Sequence, residues 1–286
     1  MFRTFTLQNS AGETYPLSST NPNDFYTYGF LTEPEGLGIE FDNEYVRLGD
    51  IFLRTESEID QGEFEGTMNF ANYTSFRNFG NFIFRSKDLV LIYTCSDAEG
   101  TYYRDCDIVS IEKGEIGDNG FMECPVTFSF KSLYYEKNEI KYLMTDMADD
   151  RRYTFSYPCR FYDYQALDAP LVNDGHTEAS ISIYIYGYCE NPEIVITDEN
   201  GETVYSIKFN HILQDGDRIE YSSKDGNSYI RLVTSDGTVT SLVSELSLTN
   251  NNFIRLPIGT YYITISSDTD ATNRMSYILY KFFKVV

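Results

Sequence analysis

The strongest constraint on the fold is an alternation of apolar and polar residues with a period of two. Residues 180–186 read Ser-Ile-Ser-Ile-Tyr-Ile-Tyr, which places Ile181, Ile183 and Ile185 on one face of a strand. Asn-Gly and Asp-Gly pairs, which tolerate the positive φ of tight turns, separate the later strands. Many short strands at regular spacing predict a sandwich or jelly roll rather than an α/β fold. The further predicted strands are Leu89–Thr94, Tyr102–Glu112, Phe121–Leu133, Glu193–Thr197, Thr203–Phe209, Ser228–Thr234, Thr260–Ser266 and Met275–Phe283.

One segment departs from this alternation. Phe76, Phe79 and Ile83 recur at helical spacing within Tyr73–Arg85, and Asn72 is suited to cap the first turn. The sequence therefore predicts a helix near residues 73–85, with its apolar stripe packed on a sheet.

A second irregular segment divides the chain. Residues 136–175 are polar at first and then contain an aromatic string, Tyr157 to Tyr164, without alternation. The sequence predicts an N-terminal domain at 1–135, a junction at 136–175 and a C-terminal domain at 176–286.

The net charge of −22 argues against stable nucleic-acid binding, because phosphate contacts need a basic surface. Residues 1–150 carry 11 Lys and Arg against 27 Asp and Glu, a net charge of −16, and residues 151–286 carry 11 against 17, a net charge of −6. Between Glu33 and Glu65, eleven acidic residues face only Arg47 and Arg54. Two interpretations stay open for this acidic segment: an ordinary solvated face, or a functional surface.

No apolar run is long enough to span a membrane, and the N-terminus lacks the pattern of a secretion signal. These features predict synthesis in a cytoplasm and no membrane partner. The sequence contains five cysteines and no Cys-x-x-Cys motif, which predicts free, buried thiols in a reducing compartment. They are Cys95, Cys106, Cys124, Cys159 and Cys189.

Motifs for catalysis are missing from the sequence. His176 and His211 have no second histidine nearby, and there is no phosphate-binding loop and no nucleophile elbow. Asp198–Glu202 lacks the spacing of a calcium loop and is interpreted as a hairpin turn. The sequence therefore predicts no catalytic, cofactor or metal site and no enzyme activity. A carboxylate pair that hydrolyses glycans is the last-ranked alternative.

Stretches along nearly the whole chain carry a resemblance. FTLQNSAGETYPL is a strand, a glycine turn and a second strand, and Gly36-Leu37-Gly38 precedes EYVRLGDIFL. A strand, a helix and a strand are joined in GEFEGTMNFANYTSFRNFGNFIFRSKDLVLIYT. A hairpin follows, formed by GTYYRDCDIVSIEKGEI and MECPVTFSFKSLYY. The series ends with four stretches of the C-terminal half, FSYPCRFYDY, VNDGHTEASISIYIYGYCENPEIVIT, GDRIEYSS and NNFIRLPIGTYYITI. In this order they resemble the distal tail proteins of siphophages, the Dit or Sipho_tail family.

The resemblance implies a mainly β protein with two β-sandwich domains. The N-terminal domain would have a packed α-helix, and the C-terminal domain would be galectin-like, of jelly-roll type. It implies a structural protein of the virion tail tip, a homo-hexameric ring that lets DNA pass. Its implied partners are the tail tube protein, a tail-associated hub or fibre protein, and receptor-binding or baseplate proteins.

A ring that admits DNA gives the acidic segment a function, because an acidic channel repels phosphates. The expected channel or rim residues are Glu56, Glu58, Asp60, Glu63 and Glu65. The alternative function is a carbohydrate-binding or receptor-binding β-sandwich protein that uses tyrosines of the 184–188 strand.

Overall fold

The structure, a computed structural model, describes residues 3–19, 21–85, 88–95, 100–144, 169–247, 253–269 and 274–286. The chain forms two compact units. The N-terminal unit comprises Met1–Glu136 and Phe283–Val286, and the C-terminal unit comprises Lys137–Phe282.

The N-terminal unit is mainly β, with two helices in its described part. Its elements in chain order are β1 (Arg3–Asn9), β2 (Thr14–Pro16), α1 (Pro22–Tyr28), β3 (Phe30–Glu35), β4 (Phe41–Leu48), β5 (Ile51–Ile59), β6 (Glu63–Phe70), α2 (Tyr73–Phe84), β7 (Leu89–Cys95), β8 (Thr101–Ile111), β9 (Met122–Phe130) and β10 (Tyr134–Met144), whose later residues belong to the C-terminal unit.

Seven strands of this unit form one antiparallel path in the order β2-β1-β7-β8-β9-β6-β3. Phe5 on β1 lies 5.6 Å from Phe64 on β6, measured between ring centroids, although three strands separate them along the path. The sheet therefore folds over on itself and encloses one apolar core. The helix α2 contributes Phe79, Phe82 and Ile83 to that core.

The predicted helix at 73–85 is confirmed. The Asn72 side chain accepts hydrogen bonds from the backbone N–H groups of Thr74 and Ser75, each at 3.0 Å, and so caps α2. The helix α1, which is only seven residues long, is not among the elements predicted from the sequence. Its signal was Asn21 followed by Pro22, an N-cap residue before a proline in the first turn.

The C-terminal unit contains the remaining elements. They are β11 (Ala169–Asn173), β12 (Ala179–Tyr186), β13 (Cys189–Glu190), β14 (Glu193–Asp198), β15 (Thr203–Lys208), β16 (Ile212–Leu213), β17 (Arg218–Lys224), β18 (Asn227–Val233), β19 (Val239–Ser241), a 3₁₀ turn (Val243–Glu245), β20 (Arg255–Leu256), β21 (Gly259–Ser266) and β22 (Arg274–Phe283), whose last residue belongs to the N-terminal unit.

Two sheets of the C-terminal unit share one core. One has the order β19-β18-β17-β12-β22, and the other has the order β11-β21-β14-β15. Ile181, Ile183 and Ile185 of β12 are buried in the same apolar cluster as Ile194 and Ile263 of the second sheet. The mainly β prediction with sandwich-type packing is therefore confirmed, and the period of two identified the inward face of β12.

The opposite face of the first sheet contains a buried carboxylate. Glu220 on β17 is 4% exposed and accepts hydrogen bonds from Arg218 at 2.5 Å and from Arg231 at 2.7 Å. Burial by itself would raise the pKa of Glu220, but the two guanidinium groups outweigh it and hold that pKa below its ordinary value.

This network predicts a stability that depends on pH. A carboxyl group whose pKa is lower in the folded state stabilises the fold above its unfolded pKa of about 4.3, and the stabilisation is lost as the pH falls through the folded value. Glu220→Gln should therefore lose about 2 kcal/mol of unfolding free energy at pH 7 and much less at pH 3. Urea unfolding at several pH values measures this difference. Glu202→Gln, at an exposed position, is the control; an equal loss at both pH values would contradict the prediction.

The predicted junction at 136–175 contains regular structure. Within it, β10 runs to Met144, and β11 pairs with β21 in the C-terminal unit. The chain also returns to the N-terminal unit at Phe283, whose ring contacts Tyr102 at 5.7 Å. The aromatic string at 157–164, with Cys159, lies outside the described residues. The other four cysteines are free and buried as predicted, and burial raises the pKa of the Cys106 thiol to about 12.

Candidate functional site

The two histidines and the Asp198–Glu202 turn have structural partners. The ring of His211 lies 2.6 Å from Glu245, and the backbone N–H of His176 donates to the Phe282 carbonyl. The Asp198 carboxylate accepts backbone N–H hydrogen bonds from Asn200 and Glu202, so Asp198–Glu202 is the expected hairpin turn. Over the described ranges, no three His, Cys, Asp or Glu side chains could hold a metal ion. The same ranges contain no helix with the length and apolar character of a membrane span.

The most unusual feature is a hairpin arm formed by β4 and β5. These strands pair only with each other in the described structure and form a separate two-stranded sheet. Nearly every residue of the arm is exposed. An isolated two-stranded hairpin is marginally stable in water, so an arm of this kind needs a partner surface.

The root of the arm is firmly attached to the N-terminal unit. The Asp60 N–H donates to the Glu40 carbonyl at 3.0 Å and closes the hairpin. The Gln61 side chain donates to Ser129 and to the Phe130 carbonyl. Leu37 packs on the core just before the arm. The arm is therefore held at a defined place while its two strands extend into solvent.

The half of the arm nearest the root, which we call the base, is acidic. Asp42 lies directly opposite Glu58, and Glu44 lies directly opposite Glu56. All four side chains are exposed, and they share one face of the hairpin because their positions alternate. Like charges at directly opposed positions destabilise a sheet, so no folding requirement accounts for this arrangement.

The outer half of the arm, Tyr45–Arg54, which we call the tip, has a different composition. A bulge between Glu44 and Tyr45 separates it from the base. It presents six large apolar side chains with exposed fractions of 46–67%, together with Arg47 and Arg54 against the single acid Asp50. These six are Tyr45, Val46, Leu48, Ile51, Phe52 and Leu53. The register places Val46, Leu48, Ile51 and Leu53 on one face of the tip, and it places Tyr45 and Phe52 on the other face with the two arginines. Exposed apolar surface of this kind marks an interaction site.

The five carboxylates predicted from the sequence occupy three places. Glu56 and Glu58 lie in the base, and Asp60 follows β5. Glu63 and Glu65 lie on the solvent side of β6, on either side of the buried Phe64. Glu65 lies opposite Glu35 of β3, which forms a third pair of opposed acids.

Three contributors to this surface were not predicted from the sequence. Asp42 and Glu44 were not selected, although their spacing of two repeats that of Glu56 and Glu58. The apolar tip was overlooked too, because the segment was assessed by its charge and not by its alternation.

Comparisons with known proteins agree with this fold. Residues 4–131 match the family model described as the N-terminal domain of the distal tail protein. No curated protein sequence matches the chain. The fold is similar to a chain of the phage P2 baseplate in its activated conformation with calcium, at 15% identity and a TM-score of 0.71, with 100% of both chains covered. It is also similar to the SPP1 Dit protein, at 15% identity and a TM-score of 0.56, with 96% of this chain and 98% of that chain covered.

The fold of the whole chain is therefore the one seen in a phage baseplate chain and in a phage Dit protein. Residues 4–131 match the N-terminal domain of the distal tail protein family, which confirms the resemblance to a phage distal tail protein. The sequence match over residues 4–131 and the fold of the whole chain thus agree in resembling phage distal tail and baseplate proteins.

Proposed function

We propose that this chain assembles into a homo-hexameric ring at the tail tip. The ring joins the tail tube protein to a tail-associated hub or fibre protein, and receptor-binding or baseplate proteins attach to its outside. The role is structural: it needs no catalysis, cofactor or metal. The chain is made in the host cytoplasm before it enters the virion.

The observation that carries this proposal is the exposed arm in the unit that matches the distal tail domain. A heterologous contact, in which one surface of a subunit meets a different surface of the next, generates a closed ring when the rotation closes. Class averages of the purified chain by electron microscopy test the proposal. The expected result is a six-fold ring with a central opening; open filaments or particles of single-chain size would overturn it.

The five carboxylates Glu56, Glu58, Asp60, Glu63 and Glu65 are proposed to line or rim the channel of that ring. Support comes from their exposure and from the opposed acid pairs, which gather negative charge on one surface. Six-fold symmetry multiplies this charge around the opening. A DNA molecule in the channel is then repelled from the wall and passes without adhering.

Neutralising three of these groups should strengthen assembly at low salt. The variant Glu56→Gln/Glu58→Gln/Asp60→Asn carries less negative charge, so the repulsion between neighbouring copies in the ring falls. This electrostatic repulsion extends over about 30 Å at 0.01 M salt but over only about 10 Å at 0.1 M. The variant should remain assembled at a lower protein concentration than the wild type in 0.01 M salt, and the difference should shrink at 0.15 M.

Light scattering across a dilution series measures this difference. The control variant Glu178→Gln/Glu199→Gln/Glu202→Gln removes the same charge from exposed positions of the C-terminal unit. If the two variants behave alike, the channel proposal fails while the ring proposal stands.

A carbohydrate-binding or receptor-binding role is a second candidate. The outward face of β12 presents Tyr184 and Tyr186 beside the Glu220 network, and the Arg231 guanidinium lies 4.0 Å from the Tyr229 ring centroid. Aromatic rings next to fixed polar groups suit sugar recognition. A glycan array tests this role: binding that Tyr184→Ala abolishes would support it, and an array without signal would remove it.

A further inference from the structure

We propose that the outward face of the sheet β19-β18-β17-β12-β22 binds an anionic saccharide, a sugar chain that carries phosphate or carboxylate groups. The inference rests on the second candidate function, carbohydrate binding, and specifies the class of sugar and the side chains that hold it. We call this surface the tyrosine–arginine face, and it is formed by Tyr184, Tyr186, Tyr229, Arg218, Arg231 and Arg274.

A buried carboxylate organises the centre of this face. Glu220 accepts hydrogen bonds from both Arg218 and Arg231, and the Arg231 guanidinium also lies over the Tyr229 ring. Apolar residues can often replace a buried ion-pair network without loss of stability, so stability alone does not account for it. The network fixes two guanidinium groups before a ligand arrives, which lowers the entropy lost on binding.

The arginines keep N–H groups that a ligand can reach. The side chains of Arg218 and Arg231 are 45% and 40% exposed, so the N–H groups that do not bond to Glu220 are accessible. The strand register places Tyr186 between Arg218 and the exposed Arg274. Planar guanidinium donors match the oxygen atoms of phosphate and carboxylate groups, so these donors define the anionic part of the ligand.

Tyrosine rings lie beside a floor of small residues. Ser182 and Ser222 are opposite each other and buried, and their hydroxyl oxygens are 3.1 Å apart. Tyr229 lies opposite Ser222 on β18. Burial, followed by the neighbouring hydroxyls of Tyr229 and Tyr280, raises the pKa of Tyr184, so these three rings lie close together. Aromatic rings with polar tips suit the apolar and hydroxylated edges of a sugar ring.

The outward face of the other sheet, β11-β21-β14-β15, has a different character. Among its described positions, Tyr262 is the one aromatic residue, and Glu193 lies directly opposite Lys208, so their charges offset each other. The tyrosine–arginine face instead combines several rings with arginines that a single carboxylate anchors. Within the described part of the C-terminal unit, this combination distinguishes the first sheet from the second.

Acidic residues in the loops around the face narrow the class of ligand further. Asp225 follows β17 and is ion-paired with Arg255. The other acids in the loops at the ends of β17 and β18 are Asp215, Asp217 and Asp236. These carboxylates repel a densely charged polymer such as nucleic acid, whereas a saccharide with separated charges can place one anionic group on the arginines. The charges therefore favour a saccharide over a nucleic acid.

A glycan array with matched members tests the inference. Each sugar chain is immobilised in a neutral form, as a phosphate ester and as a uronic acid, with single-stranded DNA on separate spots, and the labelled full chain is applied. The anionic members should give a signal about tenfold above the neutral members, the effect of one charge-assisted hydrogen bond. The phosphate and uronic acid members show which group supplies the negative charge.

Four variants locate the binding on the molecule. Arg274→Gln and Tyr186→Ala should each lower the signal on the anionic members about tenfold. Lys208→Gln and Tyr262→Ala make the same kinds of change on the other sheet and should keep the wild-type signal. Circular dichroism verifies that each variant is folded.

The outcomes separate the ligand class from the carbohydrate role. Equal signals on neutral and anionic members overturn the anionic class and leave the carbohydrate role standing. A DNA signal equal to that of the anionic glycans, or equal losses in all four variants, overturns the proposed site. An array without any signal removes both the inference and the carbohydrate role, and the ring proposal depends on neither.

Discussion

Replacing Phe79 with alanine should lower the unfolding free energy by about 3–5 kcal/mol, because it opens a cavity in a packed core. Phe79 is fully buried, and its ring lies 5.2 Å from Tyr15 and 5.5 Å from Phe70 between centroids. It joins α2 to strands on two sides, so neighbouring groups have little freedom to fill the space. Urea unfolding monitored by tyrosine fluorescence measures the loss.

The same helix provides a matched control. Phe84 is also a phenylalanine of α2 but is 80% exposed, so Phe84→Ala should change the unfolding free energy by no more than about 0.5 kcal/mol. Similar losses at the two positions would mean that α2 does not pack on the sheet through its Phe79 face.

A second large effect is expected at the root of the arm. Gly36 has a φ of +80°, and a Cβ atom there would lie 1.8 Å from the carbonyl oxygen of Glu63. Gly36→Ala combines the strain of a left-handed residue with a forced displacement of β6 from β3, a loss of about 3 kcal/mol or more. The displacement also loosens the root that holds the arm, so assembly should weaken together with stability.

Gly38→Ala is the control for this prediction. Gly38 lies two residues further along, outside the positive-φ region, with open space around a built Cβ. Thermal unfolding and native mass of both variants should show wild-type behaviour for Gly38→Ala and clear losses for Gly36→Ala. Equal behaviour of the two variants would show that the close approach of Gly36 to Glu63 is absent.

The sequence predicts those parts of this fold whose residues are buried on one face. Alternation identifies Ile181, Ile183 and Ile185 as inward, and α2 is recognisable from Phe79 and Ile83 with the cap at Asn72. The turn glycines were predictable too: Gly201, Gly216, Gly226 and Gly237 all have positive φ.

The candidate site was only partly predictable, because the arm has no buried face. Because the arm lacks a buried face, its alternation of acidic and apolar residues has the pattern of a solvated, charged surface. The sequence therefore identified Glu56 and Glu58, but it identified neither the acids opposite them nor the tip. Pairing between strands fixes which acids face each other, and that pairing depends on the bulge after Glu44. The burial of the other face of β12 was not predicted either. Alternation predicts that Ser182 is exposed, but Ser182 is 2% exposed and its hydroxyl donates to that of Ser222.

The central claim is that this chain forms a closed ring of six copies. Native mass spectrometry of the wild-type chain, at low micromolar concentration and physiological salt, tests it most directly. The predicted result is a single dominant species at six times 33.0 kDa, which dissociates on dilution. A mass of 33.0 kDa across the whole concentration range, or a ladder of masses without closure at six, would contradict the claim.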